Sequence, residues 1–231
     1  MRVIGVDGCP GGWVAISYDS DARTLEPLVH RSFADLLAAY PDAASIGVDI
    51  PIGLAEGRPR RCDVEARRVL GPQRSSVFPA PDPRVIDAPT YAEALALSRS
   101  LTGGGISRQA FAIFGKVAEV NRALTPELQS RVVEVHPEVS FWALAGERPM
   151  AHPKKKPEGY AERRALLAAA LGVPIPPREQ ARALARPAGA DDVLDAIVAA
   201  WTARRVAAGL AGRLPAAPPT DARGLRMEIV Y

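Results

Sequence analysis

The first fifty residues hold four strand-length apolar runs, and the links between them leave little freedom in how those runs can pair. Arg2 to Asp7 alternates apolar side chains, Trp13 to Tyr18 follows the glycine-rich link GCPGG, and Leu25 to His30 follows the polar turn DSDAR. Parallel neighbours need a crossover of roughly a dozen residues or more, so three strands joined this closely form an antiparallel meander. Phe33, Leu36, Leu37 and Tyr40 then fall at helical spacing, Pro41 ends that helix, and Ser45 to Asp49 is a continuous apolar run suited to a buried strand. A helix between two strands of one sheet is a right-handed crossover, which makes the fourth strand parallel to a neighbour.

Further along, Cys62 to Leu70 and Tyr91 to Ser100 read as short helices on either side of SSVFPAPDPR, an ordered loop or lid. After the turn TGGGIS comes a helical pattern from Arg108 to Leu124, then a β-branched strand from Arg131 to Val135 that ends at HPE. Helices follow around Ala161 to Leu171, Arg178 to Ala185 and Asp191 to Ala208, with a terminal strand over Leu225 to Val230. Three antiparallel strands, a helix, a strand, helical material, another strand and a closing helix is the element order of the RNase H-like fold, an α/β mixed five-stranded sheet flanked by helices. The expected organisation is one domain over residues 1–231, with a helical and loop insertion at about 55–130 and a tail at about 212–231.

Composition bounds the partners more than the fold. A chain of 231 residues that is 48% hydrophobic and 24% charged has the make-up of a globular protein. Its 29 basic and 26 acidic residues leave a net charge of +3, too weak a field to announce nucleic acid by charge alone. Cys9 and Cys62 lie far apart with no CxxC spacing, which argues against a zinc ribbon or disulfide framework and suits a reducing compartment. The start MRVIGVD lacks the regions of a signal peptide, and no apolar run approaches the roughly 20 residues of a membrane span. The expected location is the cytoplasm, with no membrane partner.

Acidic residues stand where these strands end. Asp7 closes the first strand in GVDGCPGGW, where small residues leave its carboxylate open, and Asp49 closes the fourth in GVDIPIG. If those strands are parallel neighbours, both carboxylates emerge at the sheet edge where ligands of open α/β sheets bind. Glu134, with His136 two residues on, ends the fifth strand and is expected at the same edge. The closing helix buries Leu194, Ile197, Val198 and Trp201 on one face, while Asp192 and Asp195 share another stripe near its N-terminus. Carboxylates gathered from several elements suit hard divalent ions, and a pair of such ions about 4 Å apart supports phosphodiester cleavage. The same acids have structural uses: Asp7 and Asp49 in turns, Asp191 and Asp192 as cap and first-turn residues, Glu134 and His136 as hydrogen-bonded polar groups. Lys154, Lys155 and Lys156 stand together in HPKKKPEG, followed by Arg163 and Arg164 on a helix. They form either a solvated face or a phosphate-contacting patch.

The strings GVDGCPGGWV, GVDIPIGL, RRCDVEARRVLG with SSVFPAP, QAFAIFGKVAEVN, EVHPEVSFWALAG, KKKPEGYAERRALL and DDVLDAIVAA run from Val3 to about Ala203. Together they resemble domain-of-unknown-function family 429, described as predicted nucleases with an RNase H fold. The resemblance implies that Asp7, Asp49, Asp192 and Asp195 stand where acids of the wider RNase H-like group bind catalytic metals. Glu134 and His136 lie on a strand where that group does not always place a ligand. The expectation is a nuclease or other phosphodiester hydrolase. Its catalytic acids are Asp7, Asp49, Glu134, Asp192 and Asp195, its cofactor is Mg²⁺ or Mn²⁺, and Lys154, Lys155, Arg164 and His136 hold the substrate. Two other readings share this core: a phosphotransferase of the actin and sugar-kinase group, and a nucleic-acid-binding module with a degenerate site. Against the phosphotransferase, no second Asp-Gly phosphate loop and no later adenosine-binding Gly-Gly stretch follows.

Overall fold

A computed structural model describes residues 1–231. The chain divides into two compact units, one of Met1–Asp49, Arg131–Arg213 and Val230–Tyr231, the other of Ile50–Ser130 and Leu214–Ile229.

The first unit is built on five strands, β1 (Arg2–Cys9), β2 (Gly12–Asp19), β3 (Thr24–His30), β4 (Ile46–Val48) and β5 (Val132–Glu134), in the sheet order β3-β2-β1-β4-β5. β1 to β3 form the expected meander, β4 runs parallel to β1, and β5 runs parallel to β4. The crossover to β4 carries α1 (Phe33–Ala39), whose N-cap Ser32 accepts a hydrogen bond from Asp35 N and whose Phe33 and Leu36 are buried. This mixed α/β sheet with flanking helices is consistent with an RNase H-like arrangement.

Besides α1, this unit holds α6 (Pro137–Leu144), α7 (Pro157–Leu171), α8 (Arg178–Leu184) and α9 (Ala190–Ala207), numbered after α2 (Arg61–Leu70), α3 (Tyr91–Thr102), α4 (Arg108–Ala112) and α5 (Phe114–Ala123) of the second unit. α9 is buried from Val193 to Ala203 and lies directly on β1 and β4. Two glycines set that distance. A Cβ on Gly5 would overlap the Ala196 carbonyl and the Ala200 nitrogen, and one on Gly47 would come within 2.7 Å of the Ala199 carbonyl. Small residues on both sides bring helix backbone and sheet backbone together, and burial of Val3, Val14, Ile16, Val193, Ile197 and Trp201 around this contact drives the packing.

The pattern of the sequence misses α6. Pro137 to Trp142 are all buried, so the helix has no polar stripe from which a period could be read. Pro137 at its first position and a hydrogen bond between the Ser140 and Thr202 hydroxyls, 2.8 Å apart, fix it against α9. The terminal strand expected over Leu225–Val230 is confined to Ile229–Val230. Upstream, the Asp221 carboxylate accepts from Arg223 N and Leu225 N and holds the backbone in a turn. Val230 bridges Val135 in parallel, so the chain does return a residue to this sheet's own unit.

In the second unit the helix expected over Arg108–Leu124 is broken at Ile113 into α4 and α5. The break lets Phe111 and Phe114 meet edge to face at 5.4 Å, with Tyr91 against Phe111 at 5.7 Å. Asn121 ties the unit together: its Oδ1 accepts from Gly53 N, and its Nδ2 donates to the carbonyls of Pro51 and Val117. No helix of the protein is long and apolar enough to cross a membrane.

Candidate metal centre

Register decides which acids meet. Val6 pairs with Val48 in the parallel β1–β4 ladder, so Asp7 and Asp49, one residue further along each strand, emerge side by side on one face of the sheet. That face is the one carrying Gly5 and Gly47, onto which α9 packs. The close backbone approach brings Asp195, in the second turn of α9, to the same rim. Carboxylate oxygens of Asp7, Asp49 and Asp195 all lie within 4.8 Å of one another.

Glu134 does not join them. It pairs with Val48, and alternation along the strand turns it to the pleat opposite Asp7 and Asp49. It is buried, and its charge still helps to raise Asp49. Asp192 is the third residue of α9, and its Oδ2 accepts a hydrogen bond from Gly189 N at 2.8 Å, the reciprocal half of a capping interaction at the helix start. It lies outside the trio while adding to the negative field on Asp7. His136 occupies the position just before α6.

The trio is crowded with like charge. Burial, then Asp49, Asp195 and Asp192, push the Asp7 carboxyl well above its ordinary range. Burial and Asp195 push Asp49 up to about 8, and burial raises Asp195 despite a neighbouring lysine. Asp7 and Asp49 keep part of their surface open at the rim, whereas Asp195 is buried. Without a cation the site holds carboxylates that resist ionising together.

One cation is built in. Lys154 Nζ donates to Asp195 Oδ2 at 2.7 Å, with the lysine side chain 39% exposed. Burial works against its charge, but the contact with Asp195 and the fields of Asp49 and Asp7 hold its pKa up. The loop that carries it is clamped onto α7. The Glu162 carboxylate accepts from Ala151 N and His152 N, Arg163 Nη1 donates to the His152 carbonyl, and a Cβ on Gly159 would overlap the Pro153 carbonyl. One lysine against three carboxylates leaves two negative charges unmatched when all three acids are ionised. The donor set, three hard oxygens converging on one point, fits a hard divalent ion such as Mg²⁺ or Mn²⁺.

The other basic residues are disposed differently. Lys155 is exposed, and its carbonyl accepts from Arg178. Arg164 donates from Nε to the Ile175 carbonyl at 2.7 Å, in the wall of an apolar cleft with Ile16, Leu25 and Ile197. Arg163, its neighbour, goes inward to a two-pronged pair with Glu138, its Nη2 lying 3.0 and 2.8 Å from the two carboxylate oxygens. Glu138 is a residue that sequence reasoning left aside. Its charge reaches both Asp49 and Asp195, and it sits in the first turn of α6, a helix buried from Pro137 to Trp142.

The model of a family described as "Protein of unknown function (DUF429)" matches residues 5–220. No curated protein and no solved structure matches the chain.

Proposed function

The chain belongs to the DUF429 family, and from that premise we propose that it is a divalent-cation-dependent hydrolase of phosphodiesters, with nucleic acid as the substrate class. The observation that carries the reading is the meeting of Asp7, Asp49 and Asp195 within 4.8 Å, drawn from two parallel strand ends and a buried helix. A hard divalent ion at such a site polarises a phosphoryl oxygen and lowers the pKa of bound water.

The chain's own residues supply the rest. Asp7 and Asp49, each with part of its surface open, and Asp195, buried on α9, would hold the ion. Lys154 keeps the trio partly neutral in the metal-free protein, and with its side chain 39% exposed it could also meet a phosphate's charge. The Glu138–Arg163 pair, both residues buried, braces α6 and α7 and keeps a fourth carboxylate from competing for the ion. Mg²⁺ or Mn²⁺ is the fitting ion because every donor is a carboxylate oxygen and no thiolate or imidazole stands in the trio.

The test is incubation of the full chain with Mn²⁺ and end-labelled single-stranded, duplex, hybrid and branched nucleic acids, alongside Asp7→Asn. Cleavage by the wild-type chain that needs Mn²⁺ and is lost in Asp7→Asn is expected. Calorimetry that detects no Mn²⁺ binding to the wild-type chain overturns the proposal.

A further inference from the structure

The second unit contains a preformed cleft of about 490 Å³ that the proposed chemistry does not use. Its rim is the proline-rich loop Val77–Asp82, and three side-chain clamps hold that loop in place. Asp63, paired with Arg60, accepts from Ala80 N at 3.1 Å. Arg67 Nη1 donates to the Val77 carbonyl at 2.7 Å. Asp82 accepts from Gly57 N at 2.7 Å and is gripped by Arg84 through two hydrogen bonds. Asp63 and Arg67 lie on α2 and Arg60 is its N-cap, so the paired strings RRCDVEARRVLG and SSVFPAP form one bonded substructure.

The lining has two characters. Its floor is apolar, with Val77, Ala110 and Phe114 buried, and Phe78 stands at the lip 40% exposed, a large ring withheld from any core. Its charge is positive. Asp82 is the one acid in the lining and is already answered by Arg84, whereas Arg58 and Arg67 line the cleft with no carboxylate partner. A planar ring on an exposed aromatic and an anion on a guanidinium are the complementary ligand features. A pocket of a few hundred cubic ångströms suits one small molecule bearing both.

We propose that this cleft binds a nucleotide, its base laid on Phe78 over the apolar floor and its phosphate held by Arg58 and Arg67. The inference stands apart from the carboxylate site and does not rest on the hydrolase reading.

Calorimetry on the full chain in EDTA, which removes divalent ions from the question, tests it with AMP, adenosine, inorganic phosphate and a 5′-phosphorylated dinucleotide. AMP is expected to bind at least about tenfold more tightly than adenosine or phosphate alone. Phe78→Ala and Arg58→Gln are each expected to weaken AMP about tenfold. Both residues are exposed, so their melting temperatures should match the wild type and a loss of fold would not be mistaken for a loss of binding. Tighter binding of the dinucleotide marks the occupant as the end of a strand, and equal or weaker binding marks it as a free nucleotide; each supports the proposal. It is overturned by AMP binding no better than phosphate, by the two variants binding as the wild type does, or by no binding in any arm.

Discussion

Lys154 Nζ lies 2.7 Å from Asp195 Oδ2, and Asp195 in turn shares a 4.8 Å cluster with Asp7 and Asp49, so the protein carries its own monovalent cation against a group of carboxylates that could hold a metal ion. Lys154 and any metal ion held by the trio would compete for the Asp195 carboxylate. Lys154→Met removes the competitor, and calorimetric Mn²⁺ affinity is expected to rise by roughly three- to tenfold, a modest factor because the side chain is partly exposed and screened. Phosphodiester cleavage by the same variant should fall. An unchanged Mn²⁺ affinity would show that the lysine does not oppose the ion.

Replacing an acid of the trio should stabilise the metal-free protein, the reverse of what most buried polar substitutions do. Asp49→Asn removes a carboxyl whose ionisation burial and Asp195 already disfavour, and its melting temperature without metal is expected to rise by about 2–4 °C. The further rise that Mn²⁺ gives the wild type should disappear. A drop in melting temperature, with the Mn²⁺ response kept, would mean that Asp49 is a structural residue.

The pH dependence follows from the sign of these shifts. A carboxyl whose pKa is raised by folding binds protons more tightly in the native state, so its stabilising contribution is complete below the unfolded value and is lost as pH rises through the folded value. For Asp49 that window runs from about pH 4 to about 8, and Asp7 and Asp195 act in the same direction. Urea unfolding without metal should show stability falling across this range. Mn²⁺ should offset the fall increasingly toward pH 8, because the ion binds the deprotonated oxygens.

Gly5→Ala tests the helix-to-sheet contact. Its methyl would overlap the backbone of Ala196 and Ala200, which no rotamer change can relieve. A loss of about 1–3 kcal/mol is expected from urea unfolding, together with a weaker Mn²⁺ response because Asp195 rides on the displaced helix. Gly11→Ala is the comparison: no atom lies within 4 Å of its Cβ, and only its positive φ of 74° opposes the change, so the Mn²⁺ response should be kept.

Arg163→Met leaves Glu138 buried without its cation and should cost about 3–5 kcal/mol by urea unfolding. The double change with Glu138→Met removes both charges and is expected to recover much of that loss. Equal stabilities for the single and double variants would show that the pair is not coupled.

The sheet was largely legible because its signals are local. Alternation gave β1 to β3, link length gave their antiparallel order, and a helix before Ile46 gave the parallel β4. The same logic put Asp7 and Asp49 side by side. Glu134 was harder to place, since being near the end of the neighbouring strand does not say which face its side chain takes. The pairing of Glu134 with Val48, and so with Val6, turns it to the other side. Asp192 and Asp195 sit on one stripe of α9, yet only Asp195 meets the strand acids, because Asp192 turns back to the Gly189 amide. α6 and the buried Glu138–Arg163 pair were invisible to periodicity, for a helix buried continuously from Pro137 to Trp142 has no polar stripe to mark.

Gly5 and Gly47 also set when in the life of the chain this chemistry becomes possible. Until α9 has emerged and settled on the glycine floor, a growing polypeptide holds two of the three carboxylates and a strip of bare strand backbone. Assembly of the three-carboxylate group is therefore postponed until nearly the whole sequence has been threaded into place.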